Sequence, residues 1–273
     1  MSASAPADAP VGIFDSGIGG LTVVAAVLRA LPDERVTYLG DTARVPYGPK
    51  GADTVRRYSV QIAEWLVSQG VKAIVIACNT ATAHALETVR AHVNVPVIGV
   101  IDPGADAAVV ATRSGRIGVI GTSGTIASGA YERAIAARRA DAHVAARACP
   151  LFVPLVEEGW TDHPATRLVA ATYLEGLHDA AVDTLVLGCT HYPLLAPVIA
   201  EVMGPGVTLV DSAAETARAL AQVLEARRLR APSADHASVQ HRFVATDAPD
   251  AFLRVGQRFL GAALRDVEVV HFT

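Results

Sequence analysis

Short apolar runs rich in β-branched residues alternate with longer amphipathic stretches along most of this 273-residue chain, and this alternation limits the folds open to it. The runs are apolar throughout, which is typical of parallel strands that are covered on both faces. They span residues 11–14, 36–39, 73–77, 97–100, 116–120, 184–187 and 207–210. Repeated βα units with crossovers of this length predict an α/β fold with parallel sheets and right-handed connections.

The chain also carries an internal repeat. Three pairs of strand ends resemble each other, namely 73–80 (AIVIACNT) with 184–191 (TLVLGCTH), 12–16 (GIFDS) with 118–122 (GVIGT), and 98–102 (IGVID) with 207–211 (VTLVD). Apolar strands resemble one another easily by chance, so a single pair means little. Agreement of three pairs at offsets of roughly 110 residues indicates two halves of one design.

We therefore expect two pseudo-symmetric, doubly wound α/β domains with parallel sheets and an active site in the cleft between them. The first domain is expected to comprise residues 11–100 and 210–273, and the second residues 101–209, after a disordered tail over residues 1–10. In the C-terminal part we expect a polar loop, a strand, a helix and a last strand, with the loop at 233–241 and the strands at 243–245 and 267–271.

Composition excludes several classes of protein. Hydrophobic residues make up 51% of the chain, enough to fill a substantial core, and this argues against global disorder. A formal net charge of -4 argues against a nucleic-acid-binding surface. No apolar run approaches the roughly 18 residues of a membrane span, and the N-terminus lacks the basic and apolar regions of a secretory signal. We expect a cytoplasmic protein without nucleic-acid or membrane partners.

The chain has three cysteines, Cys78, Cys149 and Cys189, and no CxxC pair. An odd, sparse set without a secretory signal indicates reduced thiols rather than a disulfide framework. Cys189 and His191 stand close together in sequence, but two residues supply too few ligands for a zinc site. We therefore expect no bound metal.

Polar residues directly after the predicted strands are candidates for a functional site, because ligands of open α/β sheets bind outside the carboxyl ends of the strands. These residues are Asp15, Ser16, Asp41, Thr42, Cys78, Asn79 and Thr80 in the first half, and Thr122, Ser123, Cys189, Thr190 and His191 in the second. Each half thus presents one thiol flanked by hydrogen-bonding side chains.

Cys78 and Cys189 occupy equivalent places, each at a predicted strand-to-helix turn. The free N–H groups of a following helix lower the pKa of a thiol from about 8.5, and only the thiolate acts as a base or nucleophile. A lone cysteine is more often a small buried hydrophobe, which is the interpretation we keep for Cys149. A matched pair across a cleft could remove a proton from one face of a stereocentre and return one to the other, inverting it.

Neither pyridoxal phosphate nor a dinucleotide is expected as a cofactor. Pyridoxal phosphate needs a Schiff-base lysine, but Lys50 and Lys72 both look like solvated surface residues. The turn 17–20 (GIGG) is glycine-rich, and Asp41 follows at the spacing of a dinucleotide site. However, Thr22 occupies the third glycine position of that motif. The glycines instead indicate a tight turn that lets a small anion or a backbone approach closely.

Other polar residues leave alternatives open. His191 is either a proton partner of Cys189 or a histidine that merely caps the turn. Glu157 and Glu158 are expected in a loop that could reach the cleft, although such acid pairs are more often simply solvated. Arg44 is expected to be exposed rather than to clamp a substrate.

Five segments together carry a family resemblance: 12–20 (GIFDSGIGG), Asp41 with 46–48 (PYG), 77–81 (ACNTA), 121–122 (GT) and 188–193 (GCTHYP). In these motifs and their order the chain resembles the glutamate racemases, cofactor-independent members of the aspartate/glutamate racemase superfamily. The resemblance covers nearly the whole chain after the tail. It implies two α/β domains, a C-terminal segment that returns to the first, and conversion of L-glutamate to D-glutamate for peptidoglycan synthesis.

The resemblance also implies roles for individual residues. Cys78 and Cys189 would be the two acid/base thiols, with Asp15 supporting Cys78, and His191 and Glu157 supporting Cys189. Substrate contacts would come from Asp15, Ser16, Tyr47, Gly48, Asn79, Thr80, Thr122, Thr190 and His191. No metal or cofactor is implied, and we expect a homodimer.

Two alternative functions remain at this stage. One is a racemase or decarboxylase of the same superfamily that acts on another substrate, such as aspartate or a hydantoin, which a panel of amino acids would distinguish. The other is a nucleotide-binding module without thiol chemistry, which thermal stabilisation by a nucleotide and silent cysteine variants would favour.

Overall fold

The computed structural model of the protein describes residues 6–233 and 239–272. The strands are β1 Val11–Asp15, β2 Val36–Gly40, β3 Ala73–Ile76, β4 Val97–Gly99, β5 Arg116–Gly121, β6 His143–Ala148, β7 Thr184–Gly188, β8 Thr208–Asp211, β9 Arg242–Ala245 and β10 Glu268–Val269. Part of the loop expected at 233–241 lies outside the described residues.

The helices are α1 Leu21–Ala30, α2 Ala52–Ser68, α3 Asn79–His92, α4 Ile101–Ala111, α5 Ser123–Ala127, α6 Ala130–Arg138, α7 Phe152–Glu157, α8 Pro164–Asp179, α9 Ala196–Met203, α10 Ser212–Ala226 and α11 Pro249–Leu260. Short 3₁₀ turns occupy Tyr192–Leu195 and Gly261–Ala263. In the described ranges, no helix combines the length and the apolar character needed to cross a bilayer.

The strands form two parallel sheets that share one strand order. The first sheet runs β10-β9-β2-β1-β3-β4 and the second runs β6-β5-β7-β8. The order β2-β1-β3-β4 in the first sheet is therefore repeated as β6-β5-β7-β8 in the second. The three sequence repeats map onto β1 with β5, β3 with β7, and β4 with β8. This confirms the predicted α/β class with two pseudo-symmetric parallel sheets.

Strand β6 was missed by the sequence analysis. It pairs with β5 along its whole length, from Arg116 opposite His143 to Gly121 opposite Ala148. Its side chains are only half-buried or exposed because it lies at the edge of the second sheet. Such a strand needs no continuous apolar run, so the pattern used to find the other strands is absent from it.

Helices cover both faces of each sheet and bury apolar clusters. On the first sheet, α1, α10 and α11 cover one face and α2 and α3 the other. On the second sheet, α4 and α6 cover one face and α7, α8 and α9 the other. Each fully buried large aliphatic side chain in these layers contributes about 1.5–3 kcal/mol to stability. Strands covered in this way must be apolar on both sides, which accounts for their sequence.

The chain passes between the two sheets twice. It leaves the first sheet after β4 and enters α4, which packs on the second sheet. It returns after β8, where Asp211 Oδ1 accepts a 2.9 Å hydrogen bond from the backbone N–H of Ala213 and caps α10. Helix α10 then packs beside α1 through Ala217 and Leu220. The C-terminal strands β9 and β10 extend the first sheet beyond β2.

Residues 6–10, assigned to a disordered tail from the sequence, make defined contacts. The Lys72 ammonium group donates to the carbonyl of Ala7, and the Arg35 guanidinium donates to the carbonyl of Asp8. Lys72 was also expected on the surface, and this expectation was wrong. Its side chain is fully buried, with Nζ 2.5 Å from Glu34 Oε2. A buried lysine needs such an ion partner because an isolated charge is costly to desolvate.

Candidate active site

A cavity of about 370 Å³ lies where the carboxyl ends of β1, β3, β5 and β7 approach one another. Both halves of the chain contribute to its walls. The lining residues are Ser16, Val45, Pro46, Tyr47, Gly48, Pro49, Cys78, Asn79, Thr80, Thr122, Ser123, Pro150, Val153, Pro154, Glu157, Cys189, Thr190 and His191. The cavity therefore brings together Cys78 and Cys189, as the repeat predicts.

Cys78 lies at the N-terminus of α3, where its sulfur accepts a 3.3 Å hydrogen bond from the backbone N–H of Ala81. The hydroxyl oxygen of Ser16 lies 3.8 Å from the same sulfur. Burial, and then the negative charge of Asp15, outweigh these contacts and raise the pKa of the Cys78 thiol to about 12. The expected lowering of this pKa was wrong because the helix N-terminus is a smaller effect than desolvation.

Cys189 does not stand at the start of an α-helix, contrary to expectation. A turn and the 3₁₀ segment Tyr192–Leu195 follow it, and α9 begins only at Ala196. An α-helix starting at Thr190 would need the Pro197 nitrogen to donate to the Pro193 carbonyl, and proline has no N–H. The sequence repeat thus places Cys189 correctly in the sheet, but its local surroundings differ from those of Cys78.

His191 supplies the charge that faces Cys189. Its Nδ1 lies 3.9 Å from Cys189 Sγ, and its Nε2 lies 3.0 Å from Glu157 Oε1. Burial lowers the pKa of His191, but the Cys189 sulfur and the Glu157 carboxylate together raise it to about 10. The imidazole is therefore protonated at neutral pH and places a positive charge beside the sulfur of Cys189.

Glu157 was expected in a loop, but it is the last residue of α7. Its side chain is 37% exposed and reaches the buried imidazole of His191. The backbone carbonyl of Glu157 also accepts a 3.0 Å hydrogen bond from Arg258, which lies on α11 of the first sheet. The neighbouring Glu158 is exposed. The two acids therefore differ, and only Glu157 lies in the cavity wall.

Asp15 is fully buried beneath the cavity and does not line it. Its Oδ2 accepts a 3.0 Å hydrogen bond from the backbone N–H of Gly17. Burial raises the pKa of Asp15, while the positive charge of His191 and the turn amides oppose that rise. The structure thus places Asp15 where it acts on Cys78 by charge, and not in the cavity wall among the other expected substrate contacts.

The glycine turn before α1 lets the two halves approach closely. A Cβ atom at Gly19 would lie 2.5 Å from His191 Nδ1 and would also overlap the Thr190 hydroxyl. Thr22, in the first turn of α1, donates a 3.2 Å hydrogen bond to the carbonyl of Thr190. Close approach of a chain segment, rather than a nucleotide, therefore explains these glycines.

Asp41 anchors the loop that carries Tyr47. It accepts hydrogen bonds from the Tyr47 hydroxyl, from Arg44 Nε at 2.7 Å and from Thr246 Oγ1 at 3.0 Å. The expectation that Arg44 is exposed was wrong, since its side chain is 17% exposed and its guanidinium stacks 4.2 Å above the Tyr58 ring. Because the Tyr47 hydroxyl is already hydrogen-bonded to Asp41, only the ring and the backbone of Tyr47 are available to contact a molecule in the cavity.

Hydroxyl groups from both halves meet at one side of the cavity. Thr80 Oγ1 lies 2.8 Å from Thr122 Oγ1 and 3.1 Å from Thr125 Oγ1. The backbone N–H of Gly124 donates to the carbonyl of Gly48 at 2.8 Å. These contacts join the first sheet to the second and present polar groups to a bound molecule.

An apolar wall of the cavity was missed by the sequence analysis. It consists of Val45, Pro46, Pro49, Pro150, Val153 and Pro154. Apolar residues in a cleft look like core residues in a sequence, and only Pro46, Pro49 and Pro150, which lie outside the helices and strands, hint at loops. Ser123 was noted at a strand end, but it was not selected as a substrate contact.

The lining residues define which chemistry is available. Two thiols face one cavity, and the described lining residues include neither lysine nor arginine, so a Schiff base has no amine there. Over the described residues, no group of His, Cys, Asp or Glu has the arrangement of a metal site. Cys149 is buried but is not part of the described cavity wall. The arrangement is suited to proton transfer by sulfur.

Comparison with known proteins agrees with this arrangement. The sequence model of the family described as Asp/Glu/Hydantoin racemase matches residues 19–220. The chain is 56% identical over 257 residues to the glutamate racemase of Geobacter metallireducens. This match covers 94% of each of the two sequences. A glutamate racemase isoform from Bacillus anthracis superimposes with a TM-score of 0.90 at 39% identity, covering 97% of both chains.

A glutamate racemase from Francisella tularensis, solved in complex with D-glutamate, also superimposes with a TM-score of 0.90. It is 38% identical in sequence, and the match covers 97% of this chain and 98% of that one. The match therefore extends over nearly the whole chain. The chain belongs to the Asp/Glu/Hydantoin racemase family.

Proposed function

We propose that the protein interconverts L-glutamate and D-glutamate by moving the α-proton with two cysteines, Cys78 and Cys189. The observation that carries this proposal is that the two sulfurs come from different sheets and line one cavity. The volume of that cavity, about 370 Å³, is sufficient for one amino acid.

The charges around the sulfurs support a definite starting state. We assign the role of starting base to Cys189, which faces the cation of His191, whereas the Cys78 thiol, with a pKa of about 12, keeps its proton. The Cys189 thiolate removes the α-proton of one enantiomer, so that an S–H bond forms as the C–H bond breaks. The Cys78 thiol then gives its proton to the opposite face of the carbon, and the negative charge ends on Cys78.

The reverse reaction uses the same groups with exchanged roles and restores the starting state. No electron leaves or enters the system, so the reaction needs no oxidant or reductant. General acid–base catalysis of this kind contributes about 10²–10⁴-fold for each group. Burial of both sulfurs strengthens the effect of His191 and Asp15, because charges interact more strongly away from water.

Glutamate is proposed as the substrate on two grounds. The relatives compared above are glutamate racemases, and one was solved with D-glutamate. The cavity combines hydroxyl and amide groups, which suit carboxylates and an ammonium group, with an apolar wall that excludes water from the α-carbon. We assign these polar contacts to Ser16, Gly48, Asn79, Thr80, Thr122 and Thr190, with Tyr47 and His191 beside them.

The test is to incubate purified protein with L-glutamate in D₂O without added metal or cofactor. The expected result is D-glutamate that carries deuterium at the α-carbon, resolved by chiral chromatography and mass spectrometry. Product that keeps its original hydrogen would contradict the proton-transfer scheme. Aspartate and a hydantoin, run in parallel, test the alternative substrates, and faster turnover of either would replace glutamate in the proposal.

The cellular role follows from the product. D-glutamate made by this reaction would supply the synthesis of peptidoglycan precursors, which are made in the cytoplasm. The expected cytoplasmic location and the expected homodimer stay predictions, as do the domain limits at residues 100 and 210.

A further inference from the structure

The side-chain amide of Asn79 is only partly used by the protein itself. Asn79 directly follows Cys78, lines the cavity and is 3% exposed. Its Oδ1 accepts a 2.7 Å hydrogen bond from the hydroxyl of Tyr131. Its Nδ2 has no hydrogen-bond partner within the described part of the chain. A buried donor without a partner is costly, so this amide is poised to donate to a molecule in the cavity.

Tyr131 approaches Asn79 from the other half of the protein. It lies on α6, is 1% exposed and packs in the second-sheet cluster that includes Ile101 and Ala105. Ser212, at the start of α10, has a lowering effect on the pKa of Tyr131 that is smaller than the effect of burial. Burial raises the pKa of Tyr131, so its hydroxyl keeps the proton that it donates.

This pair of contacts decides which way the amide points. An asparagine amide has an acceptor oxygen and a donor nitrogen that exchange places when the group turns over. In the observed orientation, the hydroxyl proton of Tyr131 meets Oδ1, and Nδ2 is buried without a hydrogen-bond partner among the described residues. In the reversed orientation, Oδ1 would take the place of Nδ2 and would repel a carboxylate bound beside it.

We propose that Tyr131 is a positioning residue, which holds the Asn79 amide with Nδ2 facing the cavity so that it donates to a carboxylate of the substrate. The identity of that carboxylate rests on the proposed function. Tyr131 itself is not among the described residues that line the cavity, so it acts through Asn79. Tyr131 lies on α6 in the second half and Asn79 on α3 in the first. Their hydrogen bond therefore makes the orientation of the amide depend on how the two halves pack together.

Two substitutions that barely change side-chain size test the Tyr131 hydroxyl and the Asn79 amide separately. Tyr131→Phe keeps the ring but frees the amide to turn, and we expect KM for glutamate to rise about tenfold with a smaller change in kcat. Asn79→Asp keeps an acceptor for Tyr131 but replaces the donor by an oxygen, and we expect KM to rise at least as much. Tyr173→Phe is the matched control, since its hydroxyl accepts from the backbone N–H of Leu151 outside the cavity.

A double variant distinguishes positioning from a merely structural effect. In an Asn79→Ala background the amide is absent, so adding Tyr131→Phe should leave KM unchanged, although any loss of thermal stability should persist. If Tyr131→Phe raises KM by the same factor with and without the amide, the hydroxyl acts by another route and the proposal is overturned.

A spectroscopic test follows the amide directly. Asn79 and Asn94 are the two asparagines of the sequence, so nitrogen-labelled asparagine gives two side-chain NH₂ signals, with exposed Asn94 as the internal reference. We expect Tyr131→Phe to shift or broaden the Asn79 signal without ligand, and glutamate to shift it in the unmodified protein. An Asn79 signal that Tyr131→Phe leaves unchanged overturns the proposal.

The proposed function is tested separately. Failure of the unmodified protein to racemise glutamate would overturn the proposed function. The ligand-free spectra would still report on the contact between Tyr131 and Asn79, because they do not depend on the substrate.

Discussion

His191 presents its Nδ1 to the sulfur of Cys189 at 3.9 Å, while the charge that acts most strongly on Cys78 is the carboxylate of Asp15. Two cysteines at equivalent places in repeated sheets therefore have opposite electrostatic surroundings. A cation lies beside Cys189, whereas burial and the nearby anion favour the thiol form of Cys78. In the proposed mechanism, this difference assigns Cys189 as the base and Cys78 as the acid before a substrate binds.

Removal of either sulfur from the cavity should stop inversion. We expect Cys78→Ala and Cys189→Ala each to lower kcat/KM for glutamate by about 10²–10⁴-fold, because each removes one proton-transfer group. The remaining thiol should still exchange the α-proton of one enantiomer in D₂O without inverting it, which NMR of recovered substrate measures. Cys149→Ala is the control and should stay active. Near-normal inversion by either of the first two variants would contradict the two-thiol scheme.

The two sulfurs should also differ in their reaction with an alkylating agent. At pH 7, iodoacetamide should modify Cys189 before Cys78, since the pKa of the Cys78 thiol is about 12 and alkylation requires the thiolate. Peptide mapping of partially alkylated protein measures the order, and D-glutamate should protect the reactive site. Cys149, whose pKa is also raised by burial to about 12, serves as the internal control. Modification of Cys78 first would show that the charge assignment is wrong.

The pH dependence of activity should report on His191. Its pKa of about 10 means that the imidazolium is present below that pH and is lost above it, so kcat/KM should fall on the alkaline side near pH 10. Glu157→Gln removes a contact that raises this pKa, and should therefore move the alkaline limb downwards, by about one pH unit.

Glu158→Gln is the matched control for that change, because Glu158 is adjacent and exposed. An alkaline limb that stays in place in Glu157→Gln would exclude His191 as the titrating group. The enantiomers have equal free energies in water, so kcat/KM should change by the same factor in both directions.

Substitution of Gly19 should disturb the site without unfolding the protein. In Gly19→Ala the added Cβ would lie 2.5 Å from His191 Nδ1, so the imidazole must move away from Cys189. We expect kcat/KM to fall by about 10²-fold, as for loss of a general acid–base partner. Gly51→Ala is the control, because a Cβ there meets no atom of the described residues within 4 Å. Full activity in Gly19→Ala would mean that the position of His191 is not critical.

Stability should depend on the buried ion pair at the opposite end of the first sheet. Lys72→Met leaves the buried Glu34 carboxylate with only the longer 4.0 Å ion pair to Arg230, and should lower the free energy of unfolding by about 3 kcal/mol. Urea denaturation followed by circular dichroism measures this loss. The double variant Lys72→Met with Glu34→Leu should lose less than Lys72→Met alone, since no unpaired charge remains. A loss in the double variant equal to or larger than that of Lys72→Met would contradict this account.

Much of the architecture could be predicted because parallel strands covered on both faces must be apolar. That requirement made the main strands visible, and the repeat then placed Cys78 and Cys189 at equivalent sheet edges. Edge strand β6 was not visible, because a half-exposed strand does not have to be apolar throughout, and β6 is not. Lys72 and Arg44 were misplaced for a related reason, since a buried charge is recognised by its partner, and the partners Glu34 and Asp41 are chosen only by the folded chain.

By itself the sequence determined the layered α/β fold, the two repeated halves and the pair of thiols at their sheet edges, since each depends on local hydrophobicity and order along the chain. Only the tertiary structure decided the electrostatic difference between those thiols. Asp15 lies under Cys78, Glu157 reaches His191 from α7, and Tyr131 crosses from one half to hold Asn79 in the other. These groups are far apart in sequence, and their effects on charge and hydrogen bonding depend on distances and burial that exist only once both sheets have packed together.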